Sequence, residues 1–138
     1  MSTKRYLVDT NVIIRFLSGE PLAQAAVARK LFSRAAAGEI VLDVSPVVVA
    51  ETFYTLISFY GVERSLAAEK LSALIQQHGI KLRESAQVIS ALDLLRTANV
   101  GFADAFLAAG AVEEKVAVVS FDRDFDKLKG VTRYGPPA

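Results

Sequence analysis

Four carboxylates stand where carboxylates are costly. Asp9 lies between Leu7-Val8 and Val12-Ile13-Ile14. Glu51 sits in "SPVVVAETFYTL", with Val47 and Val48 one helical turn back and Tyr54 one turn forward. Asp104 sits in "VGFADAFLAAG", between Phe102 and Phe106-Leu107, and Asp122 follows an apolar run in "VVSFDRDFDKL". An ionised carboxylate in apolar surroundings is strongly disfavoured unless it is paired, hydrogen-bonded or bound to a metal. No Lys or Arg lies one helical turn from Glu51 or Asp104, so local ion pairing does not account for them. The expectation is that all four converge on one site.

Four ionised carboxylates at one point repel each other, and a divalent cation relieves that repulsion. The chain has no cysteine and a single histidine, His78, so an all-oxygen ligand set favours Mg²⁺ or Mn²⁺ over Zn²⁺. Such an ion keeps several waters, lowers the pKa of one and offsets charge on phosphoryl oxygens, which points to phosphate chemistry. Each acid also has a plain reading. Asp9, Thr10 and Asn11 are all helix-capping types, and Asp104 suits the positive end of a helix. Asp122, Asp124 and Asp126 suit a turn, although Lys127 occupies the glycine position that a calcium-binding EF-hand loop requires. Asp93 with Arg96 reads as a solvated helix face, and His78 before Gly79 as a helix C-terminal cap.

Composition narrows the classes further. A chain of 138 residues, 52% hydrophobic, is expected to fold as one domain over residues 1–138 with a sizeable core. The missing cysteines exclude disulfides and cysteine nucleophiles, and the lone histidine argues against a Ser-His-Asp triad. Lys4-Arg5 ahead of apolar residues resembles the start of a signal peptide, but Asp9, Asn11 and Arg15 interrupt the run. No apolar span approaches ~20 residues, so no membrane helix is expected and a soluble cytoplasmic protein is the default. The net charge of +1 offers no global attraction to nucleic acid, so a local basic surface or a metal would have to supply it.

These side chains need elements to place them. Short apolar runs at residues 5–8, 40–42, 80–82 and 116–119 read as strands, with 131–134 as a last edge strand. Residues 5–8 and 116–119 read as buried. Helical periodicity covers 12–17, 22–37, 47–60, 63–77, 85–98 and 102–114, with Pro21 in a first turn and Leu66, Leu71, Leu74 and Ile75 on an apolar side. Residues 121–129 read as a turn with about one helical turn. Strands alternating with longer helices indicate an α/β fold with a parallel sheet covered on both faces, which binds ligands beyond the carboxyl ends of its strands.

The four segments "LVDTNVIIRFL", "VVVAETFYTL", "GFADAFLAAGA" and "VVSFDRDFDKL", in this order and spacing, resemble the PIN domain, specifically the VapC-type toxins of bacterial toxin–antitoxin pairs. The resemblance spans residues 6–128. It implies a three-layer α/β/α sandwich with a parallel sheet of about five strands. It also implies a Mg²⁺- or Mn²⁺-dependent endoribonuclease. Asp9 and Asp104 match the main metal ligands, and Glu51 and Asp122 match acids that complete the site through waters or a second ion. Asp124 matches a possible helper, and whether Asp122 or Asp124 stands closer to the metal is left open. Asn11 and Ser120 match supporting polar positions, Ser120 standing where threonine is common, and Thr10 is expected with Asn11 to cap the next helix and help hold the Asp9 carboxylate.

RNA would be steered by local cations. Lys4, Arg5, Arg15, Arg123, Lys127 and Lys129 flank the acidic segments, and Arg15 and Arg123 follow Asp9 and Asp122 closely. The resemblance further implies a homodimer and a small VapB-like antitoxin whose C-terminal segment fills an apolar groove. Phe53, Tyr54, Phe59 and Tyr60 are candidates for that groove, for the dimer seam or for plain core. A haloacid-dehalogenase-type phosphatase also begins with an aspartate after its first strand, and a phosphoacceptor receiver domain also has an acidic pocket on a parallel sheet. The phosphatase wants a second acid where Asn11 stands, and the receiver domain wants adjacent acids that this chain lacks. A non-catalytic RNA- or protein-binding module on the same fold is the alternative of a different class, and loss of one of the four acids would have signalled it.

Overall fold

Alternating Ile40, Leu42 and Val44 make β2 (Ile40–Val44) the middle strand of a parallel sheet. Its neighbours are β1 (Lys4–Leu7) and β3 (Ile80–Leu82), with Tyr6 opposite Leu42 and Leu42 opposite Ile80. These strands belong to a computed structural model that describes residues 3–137. The chain forms two compact units, one running to Glu84 and the other starting at Ser85. Among the described residues all strand pairings are parallel and helices alternate with strands, as the sequence predicts.

The first unit adds four helices to its sheet. Helix α1 (Thr10–Ser18) starts at an Asp9 cap and stops where Gly19 turns left-handed. Helix α2 (Leu22–Ala36) begins just after Pro21, which is extended and lies outside the first turn. Helix α3 (Pro46–Ser58) has the expected start: the Ser45 hydroxyl accepts from the Val48 N–H at 3.2 Å and Pro46 occupies the first turn. Helix α4 (Arg64–Ile75) buries Ala67, Ala68, Leu71, Leu74 and Ile75, whereas Leu66 points outward. Helix α2 packs on β2 and α4 on β3, while α3 packs against both α1 and α4. The core centres on Ile13, Leu42, Val44, Val49 and Phe53, all fully buried. Burial of each such side chain stabilises by about 1.5–3 kcal/mol.

β1 departs from the expectation of a buried strand. It is an edge of this three-stranded sheet, and Leu7 is 80% exposed. The middle position goes to β2, whose alternate side chains are all apolar, whereas β1 opens with Lys4 and Arg5. His78 caps a helix, but not its own. Its Nδ1 lies 3.1 Å from the Ala36 carbonyl at the end of α2.

The second unit pairs α5 (Ser85–Thr97) with α6 (Phe102–Glu114). Gln87 Nε2 donates to the Phe106 carbonyl at 2.8 Å and ties the two together. A parallel ribbon of β4 (Val118–Val119) and β5 (Arg133–Tyr134) follows, with a 3-10 turn at Arg123–Lys127 between them. Ala108, Ala111, Val118, Phe125 and Leu128 form its core. β4 is shorter than expected, and Val116 and Val119 are exposed. The reason is local. Lys115 turns left-handed and Val116 donates back to the Ala111 carbonyl at 3.0 Å, so these residues close α6 instead of pairing in a sheet. No helix among the described residues is long and apolar enough to cross a membrane.

Candidate functional site

In the first unit the site is built around Thr10. Its backbone N–H donates to Asp9 Oδ1 at 2.8 Å, and its hydroxyl donates to Glu51 Oε2 at 2.9 Å. One residue therefore orients two of the four acids. Asp9 is there because β1 ends and α1 starts, and an extended Asp accepts from the first helical turn. Glu51 is there because α3 packs beside α1. Each carboxylate keeps a second oxygen that Thr10 does not engage.

The surroundings of Glu51 differ from the expectation. It is exposed, as is Asp9, so the cost of burying a charge does not arise here. Helix α3 turns Val49, Thr52, Phe53 and Leu56 inward, a stripe at helical spacing. Val47, Glu51 and Tyr54 fall on the outward face, so the apolar neighbours of Glu51 are exposed with it.

An open pocket of about 410 Å³ adjoins Asp9 but not Glu51, lined by Asp9, Thr10, Asn11, Arg15, Phe59 and Tyr60, together with Ile14 and Thr55. Arg15 Nε donates to Gln24 Oε1 at 2.7 Å, which holds the guanidinium at the pocket wall. Asn11 lines the pocket without bonding either acid. Of the four aromatic candidates, Phe53 is core, Tyr60 is half-buried, and Tyr54 and Phe59 are exposed.

In the second unit, Asp104 is half-buried in the first turn of α6, where the helix dipole favours its charge. Asp122 caps the 3-10 turn. Its Oδ1 accepts from the Asp124 N–H at 2.9 Å, and its own N–H donates to Ser120 Oγ at 2.9 Å. Asp124 pairs with Lys127 at 3.3 Å, and Arg123 is exposed. Within neither unit, among the described residues, do three or more acids or histidines gather as a metal cage.

Besides the Asp124–Lys127 pair, two further ion pairs among the described residues escaped the sequence reading. Asp43, only 5% exposed, lies 3.5 Å from Arg5 Nε, two positions along the β1–β2 ladder. Alternation within "IVLDV" signals that Asp43 leaves the Leu42 face, but not that Arg5 meets it. Arg133 grips Asp126 with Nε at 2.9 Å and Nη2 at 3.3 Å, and its Nη1 donates to the Ser120 carbonyl at 3.0 Å. The bond from Arg133 to Asp126 is the main reason the Asp126 carboxyl is held below its ordinary pKa; desolvation opposes it next, and the charges of Arg133 and Arg123 add smaller downward help. The Arg133 guanidinium is raised in turn, again chiefly by the bond to Asp126.

The PIN domain family matches residues 6–131, which is nearly the whole chain and includes both units. The chain belongs to the PIN domain family, whose members are generally nucleases, hydrolases acting on nucleic acid that use divalent metal ions. Among solved structures the chain is similar to the "Crystal structure of VapBC2 from Rickettsia felis bound to a DNA fragment from their promoter", at 16% identity and a TM-score of 0.40, covering 94% of this chain and 97% of that chain. No curated protein matches the chain.

Proposed function

We propose that the chain is a metal-dependent endoribonuclease, hydrolysing RNA phosphodiester bonds as the toxin of a VapBC-type pair. The observation that carries this reading is Thr10, which bonds Asp9 with its N–H and Glu51 with its hydroxyl inside a PIN domain. A simple helix cap needs only the first of these bonds. The whole chain would work as one PIN domain, with Asp9, Glu51, Asp104 and Asp122 as its acids.

The donor set fits Mg²⁺ or Mn²⁺. These are hard ions that take oxygen ligands, and Mg²⁺ is commonly held by one or two protein carboxylates while it keeps several waters. Asp9 and Glu51 meet that need, each with an oxygen left open by Thr10. When bound, the metal supplies an activated water and offsets charge on the phosphoryl oxygens. The chain's own residues do the rest. Thr10 fixes both carboxylates, so they need not reorganise during the reaction. In that reading Asp104 and Asp122 would add negative charge for the ion; within the second unit Ser120 Oγ accepts from the Asp122 N–H at the start of its turn. Asp124 is engaged by Lys127, which favours Asp122 as the fourth acid. Arg15 and Arg123 would contact RNA phosphates, which offsets the weak steering from a net charge of +1.

The partners rest on the family resemblance: a small VapB-like antitoxin, a second copy of the chain and an RNA substrate in the cytoplasm. Exposed Val47 and Tyr54 on α3 support an interface beside Glu51.

The test is RNA cleavage with Mg²⁺ or Mn²⁺ against EDTA, alongside Asp9→Asn and Asp104→Asn. Wild type should cleave only with metal, and both variants should lose cleavage. Unchanged cleavage in both variants, or none in wild type with either metal, would sink the assignment.

A further inference from the structure

The pocket beside Asp9 has an aromatic wall that the acids do not account for. Helix α3 ends there: the N–H groups of Phe59 and Tyr60 share the Thr55 carbonyl at 3.0 and 3.2 Å, and Gly61 leaves with a positive φ. Phe59 is 78% exposed, and its ring is tilted 69° to that of Tyr60 at a centroid distance of 4.9 Å, so the two rings do not stack. Glu51, Thr55 and Phe59 recur at four-residue spacing and share one side of α3. The helical rise places Phe59 about 12 Å along the axis from Glu51. Arg15, held by Gln24, lines the same pocket.

We propose that Phe59 is the stacking platform for an unpaired nucleobase flanking the scissile bond, with Arg15 taking a neighbouring phosphate. This rests on the nuclease reading above and adds a subsite to it. An apolar protein segment is a poorer occupant, because it would take Asp9, Asn11 and Arg15 out of water while offering nothing to the groups that Thr10 and Gln24 leave unengaged. A nucleotide brings both a flat π-face and an anion. Bases in a duplex are stacked on each other, so the subsite selects single strands.

Fluorescence anisotropy on the full chain tests this, with a labelled unpaired oligoribonucleotide and the duplex of the same sequence. An Asp9→Asn background blocks cleavage and leaves binding as the readout. Phe59→Ala should weaken single-strand binding about tenfold, and Phe59→Trp should restore it, because one base–aromatic stack is worth that order of affinity. Duplex affinity should not change. Arg15→Gln should lower the salt slope of binding by about one. Equal single-strand affinities for the Phe, Ala and Trp forms would overturn the proposal. So would a loss of self-association in Phe59→Ala with RNA affinity unchanged, which would make the ring a contact between copies. The two readings separate cleanly: stacking without any metal-dependent cleavage in wild type strikes the nuclease assignment, and cleavage without a Phe59 effect on binding strikes this one.

Discussion

The hydroxyl of Thr10 donates to Glu51 across 2.9 Å, joining residues 41 positions apart, while the Thr10 N–H holds Asp9. Side chains that orient metal ligands typically matter tenfold to a hundredfold, roughly, in affinity or rate. Thr10→Val keeps the N–H bond and the shape but removes the donor to Glu51. It should lower RNA cleavage by about 10- to 100-fold and raise the Mg²⁺ concentration needed, with the fold intact by circular dichroism. Thr10→Ser should keep most of the activity. A Val variant with wild-type metal dependence would assign Thr10 to helix capping alone.

Arg5 and Asp43 hold the strand that delivers Asp9. The Asp43 carbonyl accepts from the Val8 N–H at 2.9 Å, so the ladder runs up to the residue before the first acid. The Asp43 carboxylate is buried with Arg5 beside it and Lys81 opposite it on β3. Removing one partner of a buried pair leaves an uncompensated charge. Arg5→Leu should cost about 1–2 kcal/mol in urea denaturation, less than a fully buried pair because Arg5 is half exposed and Lys81 is near. Arg5→Leu combined with Asp43→Leu should recover much of that loss.

The alternation of strands and helices was legible because breakers mark it. Gly79 precedes β3 and Gly101 precedes α6, and both elements lie where the sequence places them. Ser45-Pro46 likewise announced α3. The environment of Glu51 was not legible. Its neighbours at helical spacing are apolar, but the richer stripe of Val49, Phe53 and Leu56 decides which side turns inward. The Arg5–Asp43 and Arg133–Asp126 pairs depend on strand register and loop closure, which local periodicity does not encode. β4 was overread because Val116 has strand chemistry but is used to close a helix.

Asp126 and Arg133 make stability depend on pH at the acid end. The Arg133 hydrogen bond lowers the folded-state pKa of Asp126, so the pair's contribution is present above the unfolded carboxylate pKa of about 4. It is lost as pH falls through the lowered folded value. Arg133 is shifted upward, so its share fades only at strongly alkaline pH. Asp126→Asn should therefore melt below wild type at neutral pH, and the gap should close as pH falls through the lowered folded pKa of Asp126. Thermal denaturation at neutral and at acid pH reads this, and a gap independent of pH would exclude the ion pair as its cause.

Gly79 and Gly38 separate backbone strain from steric overlap. Both have positive φ, +87° and +82°, a region where an L side chain costs about 1–2 kcal/mol. A Cβ on Gly38 would meet open space, whereas one on Gly79 would overlap the Ala35 carbonyl. That overlap is with backbone, which no rotamer change relieves. Gly79 also carries the carbonyl that accepts from the Leu42 N–H at 2.9 Å, so moving it disturbs the β2–β3 pairing. Gly38→Ala should cost about 1 kcal/mol and Gly79→Ala about 2–4 kcal/mol in urea denaturation. Equal losses would mean that α2 shifts to make room and that positive φ alone requires glycine at both sites.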